Sequence, residues 1–290
     1  MNMHYQEQFF TGERSLFGLQ NATIEDTTFG EGESPLKHSQ NIKLQKTIFQ
    51  WKYPLWYSHH INVNQSMFET MARSGIWYTD HITVTNSTIQ APKLFRRCHD
   101  VTLQQDYFAN ADETLWNCQA IQLKNIQARG DYFGMNSQQI HIDHFNLVGN
   151  YAFDGASNLT IKNSHLISKD AFWNCKNVTI ENSFINGEYL GWNTENLTLI
   201  NCTVESNQGF CYIKNLKLEH CRLLHTDLAF EYCENIDAQI DSKIDSIKNP
   251  LSGRIEAPAI DQIILEPTKI DPHKTQVILT KSAARGTANV

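Results

Sequence analysis

The chain has 290 residues, 41% of them hydrophobic, with 24 Lys and Arg against 31 Asp and Glu for a net charge of −7. That composition excludes a disordered chain and leaves ample length for a buried core. The acidic balance gives no overall pull toward nucleic acid or an anionic membrane, and no run of 18 apolar residues is present to span a bilayer.

The first residues, MNMHYQEQFF, lack the basic and then apolar regions of a signal peptide, so a cytoplasmic location is expected. Residues 1–21 are expected to cap the first coil, because an open β edge invites aggregation. From Ala22 and Ile24 onward an apolar–polar–apolar motif recurs. Its first residues are Ile42, Ile61, Ile82, Val101, Ile121, Ile140, Leu159, Val178, Leu197 and Leu216, at spacings of 19–21, with a last copy at Ile236. Alternation of this kind describes a strand with one buried face.

Seven residues after each of these anchors lies a second apolar column, Phe29, Phe49, Phe68, Ile89 and Phe108 among its members. Six before each anchor lies a third, including Leu55, Ile76, Phe95, Leu115, Phe153 and Phe172, broken by Gly134 and Gly191. A fixed period with three inward columns predicts three short strands per coil. The expected fold is therefore all-β: a single-stranded right-handed parallel β-helix of about eleven coils spanning 22–245. Its hand follows from the preference for right-handed crossovers. Residues 246–290 read as an irregular last coil and a tail, within one domain overall.

Asn86, Asn125, Asn163, Asn182 and Asn201 recur at the turn after the first strand, where stacked amides satisfy a tight turn. Asn158, Asn177 and Asn196 match a glycosylation acceptor pattern, but only because turn Asn and strand Thr recur at fixed offsets. The seven cysteines show no metal spacing and six of them, all but Cys211, fall in rows of small residues, so free core thiols are expected.

One strip does not repeat conservatively. Five residues before the anchors stand Trp56, Trp77, Arg96, Trp116, Met135, Asp154, Trp173, Trp192, Cys211 and Glu231. By alternation with the third column this row faces outward. Early coils add Lys93 and Arg97 to Arg96; later ones add Asp131, Asp170 and Glu188, the last two on neighbouring coils. Neighbouring rungs lie about 4.8 Å apart, so two such carboxylates reach the spacing of a glycosidase pair, about 5–9.5 Å, or of a Ca²⁺ site.

The coil pattern resembles the pectin-lyase-like superfamily. The strings GESPLK (32–37), WKYPLWY (51–57), RSGIWYT (73–79), KDAFWNC (169–175), GEYLGWN (187–193) and KNPLSG (248–253) are similar to a bacterial β-helix family of unknown function. The resemblance implies the fold and no particular activity. Neither the clustered Asp pattern of polygalacturonases nor the Arg-with-Ca²⁺ arrangement of pectate lyases can be placed on this chain.

Two readings stand at this point. In the first, the chain is a glycoside hydrolase or polysaccharide lyase, with Asp131, Asp154, Asp170, Glu188 and Glu231 as acid, base or metal ligands. Trp77, Trp116, Trp173 and Trp192 are then platforms for an oligosaccharide, and Lys93, Arg96 and Arg97 orient an anionic group. In the second, the same strip binds sugar or protein without catalysis. Convergence of two carboxylates and a basic group in one pocket would separate them. No resident cofactor is expected beyond the Ca²⁺ option, and the oligomeric state is left open.

Overall fold

The computed structural model describes residues 3–280; the expected tail at 281–290 lies outside the described residues. Within them the chain is an all-β solenoid of parallel strands with no α-helix and two short 3-10 turns. Every anchor pairs in register with the anchor of the next coil, Ile142 with Ile161 and Ile161 with Ile180 for example. The two apolar residues of each anchor motif are buried from Ala22 through Ala238, as are the second column and the third. None of the described helices is long and apolar enough to cross a membrane.

The solenoid is longer than the repeat suggests, with about 15 rungs instead of eleven. The ladder already begins at Met3–Gln6, which pairs with Gln20–Glu25. It continues beyond residue 245 through Gly253–Ala257 and Thr275–Leu279. These end rungs break the pattern because Met3 and Gly253 occupy anchor positions, opposite Ala22 and Ile236.

The third strand is a second departure. Ile76–Trp77 pairs with Phe95–Arg96 there, with Trp116 bridged to Arg96, and near the C-terminal end Ile244–Lys248 pairs with Ile260–Ile264. Elsewhere that side of the coil is a chain of turns. In the coil before Val178, Asp170, Phe172, Asn174 and Asn177 all have φ between 54° and 62°. Left-handed residues on alternate positions cannot build a strand, whose φ is near −120°. The inward residues stay buried all the same, because the turns repeat in phase from coil to coil.

Two devices hold the stack in register. Side chains of like type lie over one another: Phe10, Phe29, Phe49 and Phe68 stack at centroid spacings of 5.4, 5.2 and 4.9 Å. Such a pair contributes about 1 kcal/mol beyond its burial. Small polar residues bridge coils through the backbone. The hydroxyl of Ser66 accepts from Thr47 N at 3.0 Å, and that of Ser87 from Ser66 N at 3.1 Å. The hydroxyls of Ser164 and Ser183 repeat the bond to Phe145 N and Ser164 N at 3.1 and 3.0 Å. Six of the cysteines, all but Cys211, belong to the same kind of row; all seven are free and buried.

Candidate functional site

Most of the strip faces outward but does not stand free; Cys211 and Glu231, expected in the same outward row, are buried, at 0% and 7% exposure. The indoles are half-buried. Trp77, Trp116 and Trp173 each donate their Nε1–H to a turn carbonyl of the next coil, Lys93, Tyr132 and Tyr189, at 3.1, 2.6 and 2.9 Å. The rings therefore lie along the surface, with one face covered and one edge tied down.

The basic and acidic parts of the strip do not meet. Arg96 is sandwiched between Trp77 and Trp116, its guanidinium 4.7 and 4.5 Å from the two ring centroids. Trp77 in turn stacks on Trp56 at 5.1 Å, so Arg96 extends the column as a planar cation. Glu113 binds Lys93 at 3.0 Å and Arg96 at 3.2 Å. Arg97 is exposed, over the Tyr78 ring at 5.7 Å. Four rungs separate this cluster from Asp170, roughly 19 Å at the usual rung spacing.

Among the acids, most are occupied. The Asp131 carboxylate accepts from Asn150 N at 2.7 Å and serves a turn. Asp154 accepts from the Asn174 amide at 3.1 Å. Glu231 is buried against Lys248 at 2.8 Å and the Gln208 amide at 2.9 Å. Glu188 is exposed and paired with Lys169 at 3.5 Å.

Asp170 differs. It is 2% exposed, and its Oδ1 has no hydrogen-bond partner. Burial pushes its carboxyl above the ordinary carboxylate range, against the pull of Lys169 and of the Tyr151 hydroxyl, which hydrogen-bonds it. Asp170 in turn raises the Tyr151 phenol. An open cavity of about 300 Å³ lies over it, lined by Lys169, Asp170, Trp173, Tyr189 and Trp192.

The sequence position of Asp170 explains the cavity. Eight residues before successive anchors the chain carries Tyr132, Tyr151, Asp170 and Tyr189. Tyr132 and Tyr151 stack at 4.7 Å. Asp170 takes the next position, and Tyr189, one coil further on, lines the cavity, while Tyr151 packs edge-on against Trp173 at 6.0 Å. Residue type alone does not single out Tyr151, Tyr189 and Lys169. The local run Tyr132, Tyr151 and Tyr189, within a position that elsewhere holds Ser74, Lys93, Glu113 and Gln208, is the signal in the sequence that points to them.

Among the described residues no group of three or more His, Cys, Asp or Glu is placed to hold a metal ion. Two further concavities, of about 310 and 400 Å³, lie on the outer face of the anchor strands around Gln122, His141 and Thr160.

A family model described as a protein of unknown function, DUF3737, matches residues 3–278. The chain belongs to that family. No curated protein matches it. Among solved structures, it is similar to the Streptococcus pneumoniae surface adhesin PfbA at 12% identity, over 77% of this chain and 71% of that one, with a TM-score of 0.39. It is similar to the pentapeptide repeat protein HetL of Nostoc sp. at 8% identity, over 92% of both chains, with a TM-score of 0.30. The A-module of the mannuronan C-5 epimerase AlgE4 of Azotobacter vinelandii is 9% identical, over 97% of this chain and 89% of that one, with a TM-score of 0.30.

Proposed function

We propose that this DUF3737 solenoid, a relative of the pectin-lyase-like proteins, binds carbohydrate in the cavity over Asp170 without cleaving it. The observation that carries this reading is the open cavity walled by the rings of Trp173, Tyr189 and Trp192. A sugar ring offers an apolar face to Trp173 and Trp192 and hydroxyl oxygens at its edge to the exposed Lys169 ammonium. The volume, about 300 Å³, sits at the lower end of the range of small-molecule sites, roughly 300–1,000 Å³. Apolar walls with one convergent polar group are the usual form of such a site.

Binding is favoured over hydrolysis because only one carboxylate lines the cavity. The nearest second acid, Glu188, is held by Lys169. A hydrolase divides acid and base roles between two carboxyl groups, and a lyase needs a cation against the substrate carboxylate. Arg96 and Lys93, which would supply that cation, are neutralised by Glu113 several rungs away.

Titration of the protein with neutral, acidic and basic oligosaccharides, read by tryptophan emission and calorimetry, tests the reading. At least one class is expected to bind and to be left unchanged in length. Trp192→Ala should weaken that binding tenfold or more. If no class binds, or if Trp192→Ala binds as well as the wild type, the cavity is not a sugar site. Cleavage products that vanish in Asp170→Asn would make it an enzyme instead.

A further inference from the structure

The N-terminal half of the strip differs from the cavity in charge and in ring geometry. On four successive coils, residues 33–38, 52–57, 73–78 and 92–97 carry six Lys and Arg against one acid, Glu33, in a chain of net charge −7. Lys52 is held by Glu33 at 3.4 Å, and Glu113 serves both Lys93 and Arg96. The other three cations, Lys37, Arg73 and Arg97, have no ion pair among the described residues. Asp80 and Asp100, at the adjoining corner, are engaged by His59 at 3.4 Å and His81 at 2.5 Å. Lys37 and Arg97 close the two ends of a tyrosine pair. The Lys37 ammonium lies 5.4 Å from the Tyr57 centroid, Tyr57 and Tyr78 stack at 4.8 Å, and the Arg97 guanidinium lies 5.7 Å from Tyr78. His38 stacks on Tyr57 from the Lys37 side at 5.2 Å, and Trp56 and Trp77 stack alongside at 5.1 Å. His38, Tyr57 and Arg97 are exposed.

We infer that this patch docks an extended acidic segment of a partner protein, lying along the solenoid axis with its carboxylates on Lys37 and Arg97. Charge complementarity selects the sign: a locally basic surface with three unpaired cations attracts an anionic partner. Spacing selects the form. Lys37 and Arg97 stand three rungs apart, about 14 Å at the usual rung spacing. An extended peptide rises about 3.4 Å per residue, so carboxylates four residues apart span the same distance. Ring geometry selects a peptide over a nucleic acid or a glycan. A base stacks on a free aromatic face, and a sugar ring needs the same. Here the faces of Tyr57 and Tyr78, and of Trp56 and Trp77, are turned on one another, and the outer faces are covered by Lys37, His38, Arg96 and Arg97. The edges are left, and they carry the positive side of the ring quadrupole, so they favour carboxylates as the cations do. This surface is separate from the carbohydrate cavity, where Trp173 and Trp192 are tilted by 39° and are not face to face.

Labelled threonine-rich peptides carrying two glutamates, set four or two residues apart, together with a glutamine control, test the inference by fluorescence anisotropy at low salt. The peptide with the wider spacing is expected to bind at least tenfold more tightly than the glutamine control and more tightly than the narrower one. High salt should remove the advantage. Lys37→Glu combined with Arg97→Glu should abolish it while the melting transition is kept. Lys37→Gln and Arg97→Gln, made singly, should each weaken binding severalfold and serve if the double variant fails to fold. Equal binding of the glutamate and glutamine peptides, or of the two spacings, would overturn the inference, as would an advantage retained in the variants. A single-stranded oligonucleotide or an oligouronate bound more tightly than the wider-spaced peptide would overturn the choice of partner. Failure of the peptides leaves the sugar titration to stand or fall by itself, because the two surfaces share no residue.

Discussion

Asp106 offers a test of the interior that does not depend on any ligand. It occupies the row in which Ser66, Ser87, Ser164 and Ser183 bridge the coils, and it is 2% exposed. Its Oδ1 accepts from Ser87 N at 2.8 Å and its Oδ2 from Gln104 N at 3.0 Å. Burial outweighs both bonds and raises the carboxyl from 3.8 to about 7. The folded protein therefore holds a proton that the unfolded chain releases near pH 4. The stability linked to this proton is fully present below about pH 4 and is lost as the pH rises through about 7. At about 1.4 kcal/mol per pH unit, the loss amounts to roughly 4 kcal/mol. Asp106→Ser should remove it. A serine there would accept from Ser87 N and donate to the Gln104 carbonyl, as Ser87 does to Thr85 at 2.8 Å. Urea unfolding followed by tryptophan emission, from about pH 4 to about pH 8, gives the comparison. The variant is expected to be more stable than the wild type by roughly 2–4 kcal/mol at the alkaline end, with the two curves converging toward pH 4. Parallel curves across the range, or a wild type that gains on the variant as the pH rises, would refute the argument.

Three further outcomes are expected. Ile161→Asp places an unpaired carboxylate in a fully buried anchor of a central rung and should cost roughly 3–5 kcal/mol; a normal melting transition would contradict the inward assignment. Gly149→Ala would set a Cβ 1.8 Å from the Gly130 carbonyl oxygen. Backbone cannot yield there without moving a coil, so a loss of roughly 2–4 kcal/mol is expected, and a calorimetric trace superimposable on the wild type would sink the claim. Burial raises the thiols of Cys211 and Cys221 to about 12 and about 11. A thiol reagent near pH 8 should thus modify none of the seven cysteines rapidly in the native protein and all of them in denaturant; fast native labelling of several would show those rows to be open.

The solenoid is legible in the sequence because its core obeys one rule repeated many times. Ile42, Ile61 and Ile82 announce a buried column whatever the chain does between them. The features that escape the pattern are local in origin. The third side reads as strand because Phe153 and Asp154 alternate in burial, but alternation of burial does not distinguish a strand from a file of left-handed turns. Asn158, Asn177 and Asn196 mark only the corner at the start of the anchor strand that follows: they have φ of 54°, 57° and 59°, and their amides bond from coil to coil at 2.9 and 2.8 Å. In the strip, residue type marks the acids but not their partners. Glu231 and Asp170 look alike in sequence, and only the fold brings Lys248 to one and leaves one oxygen of the other without a hydrogen bond. The contrast at Tyr132, Tyr151, Asp170 and Tyr189 is readable, but only once a column is searched for the member that does not belong.

Each rung touches only the rung before and the rung after: Ser157–Lys162 pairs with Gln138–Val148 on one side and Lys176–Glu181 on the other. Such a chain is wired like a one-dimensional lattice, with a stability close to a sum of rung terms and nearest-neighbour terms. Fraying starts where a rung has one neighbour, so amide exchange should slow from both termini toward the middle, and Asp170 lies well inside that protected stretch. The same wiring makes length a free variable. Removal of residues 158–176, one full period of 19, would join Ser157 to Asn177 with every column still in phase, taking away Asp170 and its cavity together while the remaining coils close over the gap. A lineage can in this way gain or lose a binding site by a single in-register step, without renegotiating the rest of the molecule.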